Sequence, residues 1–302
     1  MFTQSIFFKI LYNLFWYLDP KIRVIIGKIS YRMLHSYLYR VVYKRKPNLN
    51  EPILFTEKLI WLMQNYSNDL LVQCTDKYAV RGYVEDKVGP HILNEIYDVY
   101  ERVEDINFEL LPNQFVLKCT HGCGCNIIVS DKNKFDENQA IKKLKKWMEV
   151  DYSVFMGEAH YRKIKPRIIC EKFIGSEANE FATDYKIWCF NGEPKFLIVI
   201  TNRGTGMTLT YRDFEWNLLD YASSYYPQEL EQKKPACLDE MILYAKALSK
   251  DIPFVRADFY DFNGEVVFGE LTFTPAGGVP PYVSLKGDEE IGRLLDISNI
   301  PS

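Results

Sequence analysis

The chain lacks a long uninterrupted apolar run. Its most apolar stretch, Ile6 to Leu18, is broken by Lys9 and Asn13, which leaves it too short to span a bilayer. No small-residue cleavage site follows, so a secretory leader is not expected. Internal repeats and low-complexity tracts are absent, which sets aside repeat arrays. Neither a Walker A sequence nor a dinucleotide fingerprint occurs, so two well-marked phosphate loops are excluded. The seven cysteines are Cys74, Cys119, Cys123, Cys125, Cys170, Cys189 and Cys237. An odd count without a leader argues against a disulfide framework and for a reduced, cytosolic compartment. Cys119, Cys123 and Cys125 lie close together, but no second Cys or His pair follows at zinc-finger spacing. They read as small residues filling a strand and its turn rather than as a zinc site.

Acids are nearly missing from one end. Residues 1–46 carry nine basic side chains (Lys9, Lys21, Arg23, Lys28, Arg32, Arg40, Lys44, Arg45 and Lys46) and one acid, Asp19. That segment is +8 in a chain of net −3, so the remainder carries −11. The asymmetry suggests an anionic surface as partner for the first segment. An interfacial helix with Phe, Trp and Leu on one face and Lys/Arg on the other fits. So does a helix packed on its own domain with a solvated basic face. No nucleic-acid partner is expected.

What is present is an ordinary globular composition. The 302 residues are 47% hydrophobic and 25% charged, enough for one large domain or about two smaller ones. Aromatics are abundant, with 21 Tyr, 19 Phe and 5 Trp. An aromatic core accounts for them. Contact with sugar rings or lipid headgroups is a sharper reading that the count alone does not carry.

Periodicity predicts helices first and sheets later. Residues 1–43 read as two helices split near Asp19-Pro20, with Pro20 in a first turn. Residues 47–52 are a turn-rich connector. Thr56 is expected to cap a helix through Met63, and Asp76 to Val88 another that ends at Gly89-Pro90. Phe115–Cys119 reads as a strand, His121–Asn126 as a tight turn and Ile127–Val129 as the returning strand. A helix is expected from about Asn138 to Val150, a strand from Arg167 to Phe173 and a helix from Glu240 to Lys250. Tyr185–Phe190 with Pro194–Thr201, and Val255–Phe262 with Val266–Phe273, read as hairpins on Asn-Gly turns. The expected class is α+β: helices, a hairpin lobe, then a larger sheet with helices on one face.

Three stretches can carry chemistry. Lys118 closes a strand before a turn holding Gly122 and Gly124, where backbone N–H groups and a lysine can meet an anion; a simple tight turn reads equally. Arg256 and Asp258 share a face of one arm of the last hairpin, and Glu270 and Thr272 a face of the other. If Phe262 pairs with Glu265, Asp258 faces Gly269 and Glu270 lies diagonally near; a one-residue shift would set the two acids opposite. Adjacent carboxylates call for a cation, and Mg²⁺ favours one or two carboxylates plus phosphate oxygens. A surface salt bridge from Arg256 is the bland alternative. The strand ending Glu171-Lys172-Phe173-Ile174 can offer backbone groups to an adenine edge.

As an ordered set these stretches resemble the ATP-grasp superfamily, and most closely its teichuronopeptide-biosynthesis (TupA-like) branch. The likeness lies in Asp76–Arg81, in Phe115–Val129 with Lys118, His121, Gly122, Gly124 and Asn126, in Lys165-Pro166-Arg167, in Asp184-Tyr185-Lys186 and in Phe268–Phe273. It runs from about Asn48 to Gly278 and leaves residues 1–46 outside. The resemblance implies two β-rich lobes clasping ATP, preceded by the basic helical segment. The implied divisions are 1–46, 47–165 with the helical part and the Gly-rich lid, and 166–302 with the large lobe.

The resemblance also implies roles. Lys77, Lys118 and Lys186 would contact ATP phosphates, with Gly122 and Gly124 in the lid over them. Glu171, Lys172, Phe173 and Ile174 would form the adenine-side linker. Asp258 and Glu270 would bind Mg²⁺, and Thr272 stands where many relatives carry a metal-binding Asn. Cys123 and Cys125 stand where the lid ordinarily has Ser or Gly. A substrate carboxylate would attack the γ-phosphate, and an amine would displace phosphate from the acyl phosphate. Lys118, Lys186 and Arg256 would offset the developing charge. His121 is a candidate base for the amine, or only a hydrogen bond that holds the turn. The branch suggests joining an amino acid to a sugar carboxylate during cell-surface polysaccharide assembly, in the cytoplasm, with peripheral contact at the inner face of the plasma membrane through residues 1–46. Rival readings are a glycosyltransferase, for which no clear Asp-x-Asp or βαβ alternation is present, and a non-catalytic nucleotide-binding module.

Overall fold

The computed structural model describes residues 20–175, 182–202 and 206–300. The first expected helix, before Asp19, lies outside the described residues. The second, expected from Pro20 through residue 43, is broken at Ser30 into α1, Pro20–Ile29, and α2, Tyr31–Tyr43. The Ser30 hydroxyl accepts from the Met33 amide at 3.4 Å, and α2 stops at Lys44 with φ 58°. Helix α3 spans Phe55–Asn65. Thr56 does not cap it. Its hydroxyl and amide go instead to the Asp288 carboxylate, at 2.7 and 2.8 Å. Glu57 takes the orphan donors, accepting from the amides of Ile53 and Leu54 at 3.4 Å and Asn48 at 3.0 Å.

The helix expected from Asp76 to Val88 starts late, as α5 (Val80–Lys87), and a separate helix, α4 (Asp69–Thr75), precedes it. Between them the Asp76 carboxylate accepts from the amides of Tyr78 and Ala79, at 2.8 and 3.2 Å. This Asx-type turn competes with the helix and leaves Lys77 in a turn.

Strands β1 (Ile96–Tyr100), β2 (Phe115–Cys119) and β3 (Asn126–Val129) follow, then helices α6 (Glu137–Met148) and α7 (Ser153–Met156), then β4 (Ile168–Lys172). These strands form one antiparallel sheet in the order β1-β4-β2-β3. Phe115, Leu117, Cys119, Ile168 and Cys170 fill one face against Leu144 of α6. Strand β4 belongs to this sheet, although it lies beyond the 165/166 division that the resemblance implies.

The second sheet holds β5 (Asp184–Phe190), β6 (Glu193–Thr201), β7 (Thr208–Arg212), β8 (Phe254–Phe262) and β9 (Glu265–Thr272), in the order β7-β6-β5-β8-β9. Helix α8 (Leu238–Ser249) precedes β8, and α9 (Leu285–Leu294) closes the described chain. Both Asn-Gly hairpins form, with Asn191 and Gly192 at φ 48° and 82° and Asn263 and Gly264 at 58° and 85°. Such positive φ at both central residues is the hairpin-turn requirement. Helices cover both faces of this sheet, not one. Ile187, Leu197, Val255, Ala257 and Phe259 pack with Met241 and Leu248 of α8. Trp188, Phe190, Phe196 and Phe254 pack with Phe55 and Leu59 of α3 and Ile291 of α9. Every residue of β5 is buried, and each fully buried large side chain of this kind contributes about 1.5–3 kcal/mol.

Candidate functional site

The face of the larger sheet that packs on α3 and α9 turns polar toward one end. In β5, Asp184 and Lys186 alternate with the same side as Trp188 and Phe190, and Lys186 is paired directly with Asp258 of β8. Lys186 Nζ donates to Asp258 Oδ2 and lies 3.5 Å from Asp184. Arg256 grips both oxygens of Asp258, through Nε and Nη2, at 2.7 Å each. Its Nη2 also reaches Glu270 at 3.3 Å and the Thr272 hydroxyl at 3.0 Å. Thr272 donates to Glu270 Oε1 at 3.1 Å. Asp184, Lys186, Arg256 and Asp258 are all buried, so this is a desolvated charge network rather than a surface salt bridge. Buried charges persist only when paired in this way.

The register of the last hairpin differs from the simple expectation. Phe262 pairs with Glu265, but Asp258 faces Glu270, because the ladder shifts by one residue between Asp258 and Phe259. Gly269 is the extra residue. A Cβ there would lie 3.0 Å from the Asp258 carbonyl oxygen and 3.1 Å from the Tyr260 ring, so glycine suits the bulge.

Burial alone would push the Glu270 carboxyl up. Lys77, Lys186 and Arg256 outweigh it and hold the group down at about 2. Burial would likewise lower the Arg256 guanidinium, but Asp258 beside it raises it above the ordinary value. Asp258 is almost fully enclosed, whereas 42% of the Glu270 side chain is open. Glu270 is therefore an ionised oxygen donor with room beside it.

The smaller sheet contributes a second pair. Lys118 Nζ donates to Glu171 Oε2 at 2.5 Å. They share a face because Lys118 pairs with Ile169 and Val116 with Glu171. Lys172, the next residue, points the other way and sits 3.8 Å from Glu95. Its amide donates to the Glu95 carbonyl at 2.9 Å and its own carbonyl accepts from Asn94 Nδ2 at 2.9 Å. The strand end thus presents no free backbone pair at Lys172. Phe173 is buried and Ile174 half-buried.

The turn between β2 and β3 comes near both groups. Lys77 Nζ donates to the Gly122 carbonyl at 2.7 Å, and the charge of Lys77 acts on Glu270. Cys123, exposed at the tip, feels Glu270, Glu158 and Arg256. A Cβ on Gly122 would meet the Tyr152 ring at 2.4 Å. Tyr152 Oη donates to the Cys123 carbonyl, and Gly124 takes φ 74°. His121 is buried, with Nε2 3.1 Å from the Trp147 carbonyl. Its geometry ties the turn to α6.

Two groups are given no role by the sequence. Asp184 sits two residues before Lys186, and the period-2 rule places it on the same face. Glu158 bonds the Thr274 hydroxyl just past β9, and burial pushes its carboxyl up to about 7. No local pattern marks it.

The profile of the family described as TupA-like ATPgrasp matches residues 57–296. A search of curated protein sequences returns no match. Among solved structures the chain is similar to D-alanine–D-alanine ligase from Bacillus anthracis complexed with ATP, at 16% identity and TM-score 0.44, over 73% of this chain and 61% of that one. It is similar to L-amino acid ligase from Bacillus licheniformis, at 16% identity and TM-score 0.43, over 76% of this chain and 47% of that one. It is also similar to D-cycloserine synthetase DcsG, at 10% identity and TM-score 0.42, over 75% of this chain and 70% of that one. The chain therefore spans 61% of the length of the B. anthracis ligase and 47% of that of the B. licheniformis ligase.

Proposed function

Because the chain belongs to the TupA-like ATP-grasp family, we propose that it is an ATP- and Mg²⁺-dependent carboxylate–amine ligase. The observation that carries this reading is the facing pair Asp258 and Glu270, set among Arg256 and Lys186. Glu270, with its open oxygen, fits Mg²⁺, a hard cation that takes one or two carboxylates with phosphate oxygens and water; the Asp258 oxygens, held by Arg256 and Lys186, would open to the ion as those cations turn to phosphate. Asp258 and Glu270 would hold it, with Thr272 orienting Glu270. Bound there, the ion supplies charge neutralisation to phosphate oxygens.

The protein's own residues do the positioning. Lys77 and Lys118 hold ATP phosphates from the lid side, and Lys186 and Arg256 from the larger sheet. Gly122 and Gly124 let the lid backbone approach. Glu171, Phe173 and Ile174 border the adenine, the latter two through the backbone, while Lys172, whose side chain points the other way toward Glu95, stands outside it. The substrate carboxylate oxygen attacks the γ-phosphorus, forming an acyl phosphate and releasing ADP. The amine nitrogen then attacks the acyl carbon, the C–O bond to phosphate breaks, and the nitrogen loses a proton. Closure of the lid over the half-open Glu270 side would exclude water that hydrolyses the acyl phosphate. His121 serves this chemistry by holding the turn against α6, which leaves the amine's base to another group.

The finer reading is an amino acid joined to a uronic-acid carboxylate of a cell-surface polysaccharide, in the cytoplasm. Its support is the family. Incubation with ATP, Mg²⁺, mixed amino acids and uronic-acid glycans is expected to release ADP only when acceptor and amine are both present. UDP release from a sugar nucleotide would instead mark a glycosyltransferase. Absence of an ATP-dependent thermal shift would mark a non-catalytic module.

A further inference from the structure

The basic segment has two unlike sides. Inward, Arg23 and Gly27 of α1 are buried, and a Cβ on Gly27 would lie 2.2 Å from the Val154 carbonyl oxygen. Helix α1 therefore lies directly on α7. In α2, Leu34, Leu38 and Tyr39 pack with Ile60, Met156 and Val279. His35 Nε2 lies 3.1 Å from the carbonyl of Gly157, the residue before Glu158, which bonds Thr274 beside the end of β9. Residues 20–43 are thus built onto the same end of the molecule as the Asp258–Glu270 hairpin.

Outward, Ile22, Ile25 and Ile29 recur at one-face helical spacing and are 49%, 59% and 69% exposed; Met33 adds another 56%. A single exposed apolar residue is ordinary, but a contiguous stripe marks an interaction surface. Lys21 and Lys28 flank the stripe, and Arg32 stands beside Met33, all exposed. No acidic residue occurs from Pro20 to Asn50.

We propose that this face docks on an anionic lipid bilayer surface. The isoleucines and Met33 enter the boundary between headgroups and acyl chains, and the lysines and Arg32 meet lipid phosphates. Charge selects this occupant. A second copy would bring two strongly basic faces together. Residues 1–19 carry one acid and one base, so as a cover they would leave the cations unneutralised. Docked this way, the protein holds its carboxylate hairpin near the membrane surface. The docking face is independent of the ligase reading.

The test is co-sedimentation of the full chain with vesicles of phosphatidylcholine alone and of phosphatidylcholine with phosphatidylglycerol. Binding is expected only to the anionic vesicles and should weaken in high salt. Ile22→Ser/Ile25→Ser/Ile29→Ser should abolish it, and Lys21→Ser/Lys28→Ser should weaken it about thirtyfold. Both variants should keep the parent melting temperature and the parent rate of ADP release in solution, where failure of the ligase reading would show separately. Three outcomes overturn the proposal: no binding to anionic vesicles, undiminished binding by both variants, or a dimer that the isoleucine variant splits while vesicles go unbound.

Discussion

Asp258 on β8 and Glu270 on β9 face each other because Gly269 bulges out of the ladder between Glu270 and Phe268. Without that bulge Glu270 would pair with Ala257, whose side chain lies in the apolar core under α8. One skipped residue moves a carboxylate from the wrong side of the sheet to the side that holds Arg256. Gly269→Ala should crowd the Asp258 carbonyl, costing about 1–3 kcal/mol of stability. It should also raise the Mg²⁺ needed for half-maximal ADP release by about tenfold, the equivalent of ~1.4 kcal/mol. A magnesium titration and a thermal melt check both. An unchanged titration would detach the bulge from function.

The two acids should fail differently. Asp258→Asn leaves Arg256 and Lys186 short of their buried partner, so it should lose turnover and about 3–5 kcal/mol of stability. Glu270→Gln removes a half-open carboxylate, so it should lose turnover with a smaller drop in melting temperature than Asp258→Asn. ADP release measured beside calorimetry separates them. Near-normal rates in either variant would end the metal assignment.

Stability should respond to pH in two opposed windows. Glu270 titrates at about 2 in the fold against about 4.3 unfolded. Its contribution is full above about 4.3 and is lost as pH falls toward about 2. Glu158 is raised to about 7, so the folded state holds its proton more tightly than the unfolded chain. Its contribution is full below about 4.3 and is lost as pH rises to about 7. Glu158→Gln keeps a partner for Thr274 without the titration. Its melting temperature should therefore fall less between mildly acid and mildly alkaline pH than that of the parent. Parallel curves would refute this.

Tyr152 packs where a Gly122 side chain would stand. Gly122→Ala should displace the lid tip and raise KM for ATP about tenfold, a loss of ~1.4 kcal/mol in binding. Tyr152→Ala in the same chain should recover part of that loss, since neighbours in contact are not additive. Equal and additive losses in the double variant would mean that the contact does not set the lid.

The sequence by itself determined the hairpin turns and suggested the cast of the site. Asn191-Gly192 and Asn263-Gly264 make their turns wherever they occur, because positive φ is a property of those residues. Lys118, Asp258 and Glu270 are candidates from turn chemistry and strand parity, and Lys186 from the family resemblance. Tertiary structure decided what touches what. Asp76 held the turn around Lys77 and delayed the expected helix to Val80, and Thr56 turned from a cap to Asp288, 232 residues away. Strand β4 chose the smaller sheet, Gly269 set the register, and Glu158 found Thr274 across 116 residues. Such pairings depend on how distant segments are packed, and no window of the chain contains both partners.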